Sequence, residues 1–342
     1  MAPLFSLAGF GGGIASKLLG GLLQPFATGG TELEPGDGFK YHVFLSPGDF
    51  VVNAAGGEVT YLIVGGGGGS GGSGKLNPPN IPSFSRPFAP NYKGYSGGGG
   101  AGGLLTGTSE LSDTTTYPIT VGTGGAGGPR SNSPSTGGGP LSNGNRGSTG
   151  GSSTFNSLTA LGGGGGGGYT AYGTGGTPYS GKPGGSGGGA GARRALNPIQ
   201  RGIGGPAPDP SQGNAGGPWV GPVSWPNLSR GGGGGGAGGA GGPGGDPDPS
   251  VGGAALAVPE FPAPAILPAI PAPVQSSWEA NVGPTGLYSK GGPGGFPTSP
   301  TNGVDYTGMG GRGASTNDST INNVSSYAGG DGIVIIKYPD SY

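Results

Sequence analysis

Between Gly231 and Asp246 the chain reads GGGGGGAGGAGGPGGD. From Gly235 the run resolves into triplets, with Ala237, Ala240, Pro243 and Asp246 three residues apart. Glycine loses more backbone freedom on folding than any other residue. Such a run stays unstructured unless an ordered form fits its period. A polyproline II helix does fit, since it has three residues per turn and no internal hydrogen bonds. Every third residue then points the same way, and the two remaining rows are bare glycine that can touch neighbouring helices. Each N–H and C=O needs a partner on an adjacent segment, because buried backbone polar groups are paired. The spacing recurs at Ser70 and Ser73, at Thr123, Ala126 and Pro129, and at Pro293 and Phe296. Other runs, at 97–103, 162–168 and 184–191, carry glycine on nearly every face. The pattern predicts a bundle of polyglycine II helices packed side by side, with the loops between them displayed at its ends.

Composition narrows the function classes. Of 342 residues, 93 are Gly and 36 are Pro, a share at which an aperiodic chain reads as low-complexity. Only 9% are charged, which argues against disorder driven by charge. The formal net charge of −1 gives no electrostatic case for nucleic-acid binding. There is no cysteine, so neither a disulfide framework nor a thiolate metal site exists. No apolar run is long enough to span a bilayer.

Met1 to Phe26 is rich in Leu and Phe with the single charge Lys17. A secretory signal lacks its basic n-region here, and an interfacial membrane helix lacks its charged face. The stretch reads instead as an apolar docking peptide, with Leu4, Phe5, Leu7, Phe10, Leu18, Leu19, Leu22, Leu23 and Phe26 as its contact residues. Residues 31–38 read as a turn-rich connector. Strands are expected at 39–45, 50–53, 58–64, 104–111, 117–121, 154–161 and 332–338. EVTYLIV (58–64) and GIVIIKY (332–338) are continuously apolar over most of their length, as strands buried on both sides are, and are expected to pair. Everything between Gly65 and Gly330 is then an excursion that returns to the same sheet. The proline-dense AVPEFPAPAILPAIPAPV (257–274) is expected to be an extended arm, and no helix is expected after Gly30. The predicted fold class is therefore mainly β and irregular: a small β-sheet or sandwich flanking a bundle of polyglycine II helices. Its divisions are a docking peptide (1–30), N-terminal strands (31–64), the bundle with its loops (65–331) and a closing strand (332–342).

No catalytic constellation emerges. GxGxxG arises by chance in such a sequence. Gly176 to Pro183 has the phosphate-loop spacing, but Pro183 stands where a metal-binding Ser or Thr belongs. Gly241 to Asp246 matches the start of one calcium β-roll repeat, with Asp248 where an aliphatic residue belongs, and that fold needs stacked copies. The single histidine, His42, lies in a strand without an acidic or nucleophilic partner and reads as a sheet residue. The expectation is a protein that is not an enzyme and has no cofactor and no metal. The aromatic residues carry more weight. Phe84, Phe88, Tyr92 and Tyr95 share one expected loop; Tyr169, Tyr172 and Tyr179 share another; Trp219 and Trp225 share a third; and Trp278 lies in the proline-rich one. They either contact a partner, as aromatics at hot spots do, or cover the ends of a bundle that supplies no side chains of its own.

A strand ending in YLIVGGGGGSGG, then GGGGAGG before a strand pair and ITVGTGGAGG, then TFNSLTALGGGGGGG and a terminal GGDGIVIIKY, follow one another over about 39–338. In this order they resemble the glycine-rich domain of bacteriophage virion proteins, similar to the glycine-rich tail-tip adhesins of T-even-like phages. The resemblance implies a polyglycine II bundle beside a β-sheet, with loops that touch a host receptor. The functional expectation is a virion fibre or adhesin, assembled in the host cytoplasm. It would dock on other virion proteins by its N-terminus and bind a host-surface component. The alternative is an architectural capsid-decoration or neck component without receptor binding. A cell-wall glycine-rich protein is a third reading, against which the leader argues. Fibres are commonly trimers, yet a glycine bundle also closes within one chain, and both states stay open.

Overall fold

The computed structural model describes residues 26–53, 56–73, 95–129, 144–169, 179–192, 202–220, 230–245, 250–295, 301–314 and 326–342. Its strands are β1 (Ala27–Thr28), β2 (Thr31–Leu33), β3 (Phe39–Phe44), β4 (Gly48–Val52), β5 (Glu58–Val64), β6 (Leu104–Glu110), β7 (Thr116–Ile119), β8 (Ser153–Phe155), β9 (Leu158–Ala160), β10 (Leu256–Ala257), β11 (Leu287–Tyr288) and β12 (Ile333–Pro339). Five of them form the organising sheet in the order β2-β3-β12-β5-β6, all neighbours antiparallel. The two continuous apolar strands do pair, with Ile335 opposite Leu62. A second sheet, β1-β4-β7, and the β8-β9 hairpin pack on one face, around Phe50, Phe155, Ile63, Val334 and Ile336. On the other face Ile333, Ile335, Leu62 and Tyr41 meet Phe261, Ile266, Trp278 and Tyr288. Both faces of β12 are thus covered, as its unbroken apolar sequence requires.

Three expectations need correction. Residues 154–161 form a hairpin, not one strand, because Asn156 and Ser157 turn the chain with positive φ. Residues 31–33 are an edge strand and not part of a connector. The proline-rich stretch is folded, not an extended arm. It forms α1 (Ala263–Ile266), a 3₁₀ turn (Leu267–Ala269) and α2 (Ala272–Val282). Each of these begins with proline at its first or second position, where the missing N–H has no intrahelical acceptor to lose. Gly283, at φ 60°, ends α2.

Beyond the sheet, β5 runs on as segment 65–73 without a break. The N–H groups of Gly65, Gly68 and Gly71 donate to the carbonyls of Gly103, Gly100 and Gly97, continuing the register in which Val64 opposes Leu104. Gly67 and Ser70 donate to Gly330 and Tyr327, continuing the register in which Val64 opposes Ile333. Gly66, Gly69 and Gly72 donate to a third neighbour at Gly151, Ser148 and Asn145. Three more segments donate back, from Gly163, Gly166 and Tyr169, from Gly125 and Gly128, and from Gly311. Six neighbours thus surround a segment whose bonds repeat every third residue, and residues 65–73 are all buried. Segment 96–103 is enclosed in the same way. This is a bundle of polyglycine II helices grown out of the strands of a β-sheet.

Candidate functional site

Eight intervals fall between the described segments of the bundle: 74–94, 130–143, 170–178, 193–201, 221–229, 246–249, 296–300 and 315–325. The flanking residues meet at the end of the bundle away from the sheet. There Gly72 bonds to Asn145, Tyr169 to Gly72, Ala192 to Tyr95, Gly191 to Tyr179 and Ser70 to Tyr327. Trp219 bonds to Gly202, Val220 to Gly244, Gly294 to Ser250 and Ser96 to Ala314. The turns at the opposite end abut the sheet. Gln212, for example, holds Leu161 and the Thr159 carbonyl beside the β8-β9 hairpin. The described residues on both sides of seven of these intervals, and Gly295 before the eighth, therefore lie at one distal face.

Four of the aromatic candidates ring that face. Tyr95, Tyr169 and Trp219 are buried and Tyr179 is half-buried, so these rings wall the end of the bundle, where glycine supplies no side chains. Phe84, Phe88, Tyr92, Tyr172 and Trp225 lie outside the described residues. Trp278 is a correction. It is fully buried in the core beneath the sheet, its Nε1–H donating to the Tyr306 carbonyl at 3.0 Å, and it has no surface to offer a partner. Helix α2, which the sequence reading did not expect, is what carries it inward. Of the docking candidates, Phe26 is also interior, edge-on to Tyr338 at 4.6 Å and stacked on Tyr342. Leu4, Phe5, Leu7, Phe10, Leu18, Leu19, Leu22 and Leu23 lie outside the described residues.

The distal face also gathers residues that the sequence reading passed over. Arg146, Arg230 and Arg312 stand on segments that end there, and the charge of Arg312 acts on Tyr327. Spacing gave no hint of these arginines, because each comes from a different part of the chain. His42 sits at the other end, inside the sheet. Its Nδ1 lies 2.7 Å from the Gly29 carbonyl and its Nε2 2.8 Å from the Tyr338 hydroxyl. A carbonyl only accepts, so Nδ1 carries the proton and Nε2 accepts from Tyr338. Burial holds its pKa below the usual value. No group of three or more metal-ligating side chains occurs among the described residues, and none of their helices is long and apolar enough to cross a membrane.

The model of one family, described as a glycine-rich domain, matches residues 45–339. The chain belongs to this glycine-rich domain family. The match runs from the end of β3 to the end of β12, so it takes in the bundle together with most of its sheet. No curated protein matches the chain.

Proposed function

We propose that this glycine-rich domain protein is a virion structural protein, a fibre or adhesin whose distal connections bind a component of the host surface. One observation carries the reading: the described bundle segments end together at one face of a hydrogen-bonded bundle, opposite the sheet. Loops held on a stiff body lose less entropy on binding than free ones do. Phe26, the residue that follows the apolar leader in sequence, packs against Tyr338 of the sheet, opposite the display face. That polarity suits a protein docked on other virion proteins at one end and presented at the other. The resemblance to tail-tip adhesins supports the same arrangement. The particle would be assembled in the host cytoplasm, as a single chain or a homotrimer. The reading needs no catalytic step, cofactor or nucleic acid.

The burial of Tyr95, Tyr169 and Trp219 favours a second reading, a purely architectural capsid-decoration or neck component. Electron microscopy of labelled particles separates the two. Label at a projecting tip, with purified protein binding host cells, supports the adhesin. Label on the shell or neck, with no cell binding, overturns it in favour of the architectural reading.

A further inference from the structure

The edge of a sheet is a row of N–H and C=O groups open to pairing with another chain. Among the described strands most edges are blunted. Strand β1 is two residues long and β2 three. Edge strand β7 carries Pro118, and beyond its end Thr120 bridges to Thr154 of β8. Strands β8 and β9 have three residues each, β10 and β11 two. Strand β6 differs from all of these. It closes the five-stranded sheet with seven residues, LLTGTSE, and holds no proline and no lysine. Its ladder to β5 is bracketed by two bonds, from the Gly65 N–H to the Gly103 carbonyl and from the Leu111 N–H to the Gly57 carbonyl. Bonded pairs alternate along an antiparallel ladder. Leu105, Gly107 and Ser109 therefore bond inward to β5, while Leu104, Thr106, Thr108 and Glu110 turn their backbone groups outward. The Leu104 N–H is taken by the Gln212 carbonyl. Among the described residues nothing bonds to the outward backbone groups of Thr106, Thr108 and Glu110, and all three residues are exposed.

We infer that this edge receives an extended segment of a partner protein as a sixth strand, with a lysine or arginine opposite Glu110. The cation follows from the charges in place. Glu110 stands across from Glu58 in the β5-β6 register, Asp113 lies just beyond, and among the described residues no cation pairs with any of the three. Like charges directly opposite one another are unfavourable, and a cation on the next strand offsets them. Thr106 and Thr108 suit threonine or another β-branched residue across from them. Thr120 and Thr154 already face each other in this way, their hydroxyls 2.7 Å apart. A second copy of this chain fits less well. Strand β6 has no cation to bring to Glu110. Antiparallel β6-β6 pairing would also send the two bundles in opposite directions, because segment 96–103 runs straight into β6. The choice of a partner over a second copy rests on the reading above, in which the sheet is the docking end and the partner is another virion protein.

The test is amide NMR of the full-length protein titrated with the peptide acetyl-KVTVT-amide, whose lysine lies opposite Glu110 when it pairs antiparallel to β6. An edge this short buries far less than a standard interface, so the free peptide should bind with a Kd on the order of 1 mM. The amides of Thr106, Thr108 and Glu110 should shift, and those of Leu105, Gly107 and Ser109, already bonded to β5, should shift much less. The peptide acetyl-EVTVT-amide should bind about fivefold more weakly, and Glu110→Gln should erase that difference. Thr108→Pro is tolerated at an edge whose N–H faces out, and it should abolish the shifts. The unaltered protein needs no variant to fold. Shifts confined to other residues, or none at roughly ten times the expected Kd, overturn the inference. Equal binding of the two peptides overturns the cation. A dimer of the free protein in sedimentation, dissolved by Thr108→Pro, assigns the edge to a second copy and overturns the partner. Labelled particles without peptide binding overturn the strand-accepting edge and leave the virion reading intact. Peptide binding with no label on particles does the reverse.

Discussion

At Gly68 an added Cβ would stand 2.2 Å from the carbonyl oxygen of Gly164. That oxygen is backbone held in the bundle and has nowhere to move. Gly68→Ala should therefore destabilise by about 3 kcal/mol or more, as overpacking a rigid interior does. Gly48→Ala, whose nearest neighbour is the Phe44 ring at 3.6 Å, should stay within about 0.5 kcal/mol. Thermal unfolding of the two variants checks the contrast. Two of the buried serines turn their hydroxyls to use. The Ser70 hydroxyl accepts from the Tyr327 N–H, and Ser153 bridges the Val64 carbonyl and the Gly122 N–H where sheet meets bundle. Proline occupies outward positions instead, at Pro129, Pro206, Pro218 and Pro243. There it has no N–H to leave unpaired, and it blocks the addition of a further chain. His42 sets a pH dependence in the sheet. Burial favours its neutral form, with Glu32 raising and Lys40 lowering its pKa. The unfolded chain thus binds a proton that the folded one resists. Its contribution is complete above the unfolded value, about 6.5, and is lost as pH falls towards the lowered folded value, at up to about 1.4 kcal/mol per pH unit. Denaturant titrations from pH 8 to about 5 should show this slope, and His42→Gln should flatten it. An equal slope in the variant would assign the loss to other groups.

Among the elements, those that read clearly in sequence have one face pattern throughout. The apolar residues of β5 and β12 could only be central strands, and the glycine triplets fit only a three-residue period. The helices were hidden by proline, whose density argues against them unless each proline falls in a first turn. Pro264 and Pro273 do so, and no local pattern distinguishes that placement from an extended arm. Concealment of α2 also concealed the role of Trp278, which seemed fit for a surface and instead fills the core with Tyr288 at 6.4 Å. Trp278→Ala should cost about 3–5 kcal/mol and leave attachment to any distal partner unchanged at temperatures where it stays folded. Loss of attachment without loss of stability would return Trp278 to the binding surface. The distal arginines could not be read at all from sequence, because only the folded topology collects residues 146, 230 and 312 at one end. Segment 122–129 offers a check on the bundle itself. Gly122, Gly125 and Gly128 donate inward, while Thr123 and Ala126 face solvent. Hydrogen exchange by NMR should therefore show slow amides at Gly122, Gly125 and Gly128 and fast ones at Thr123 and Ala126, with Gly124 slowed by its bond to Asp331 Oδ1 at 2.7 Å. Uniform exchange along the segment would contradict the helical bundle.

For the molecule as a whole, the decisive feature is that no linker separates sheet from bundle. Val64 opposes Leu104 and Ile333 in the sheet, and the same two registers continue through Gly65–Gly103 and Gly67–Gly330 to Gly71–Gly97 and Ser70–Tyr327. The sheet therefore fixes the rotation of the central segment, and with it which neighbours Ser70 and Ser73 face. One glycine inserted between Val64 and Gly65 turns the segment by a third of a turn and moves the Ser70 side chain onto the site of Gly71. A Cβ at Gly71 lies 2.0 Å from the Gly167 carbonyl oxygen, so the bundle cannot close around it. Three inserted glycines complete a full turn and set Ser70 where Ser73 stood, a site that already accepts a serine. The single insertion should thus abolish cooperative unfolding and the slow exchange of amides 65–73. The triple insertion should keep one transition at a moderately lower Tm. The two together test whether sheet and bundle are one cooperative body. If both insertions are tolerated alike, the bundle finds its own register and the sheet is only its neighbour.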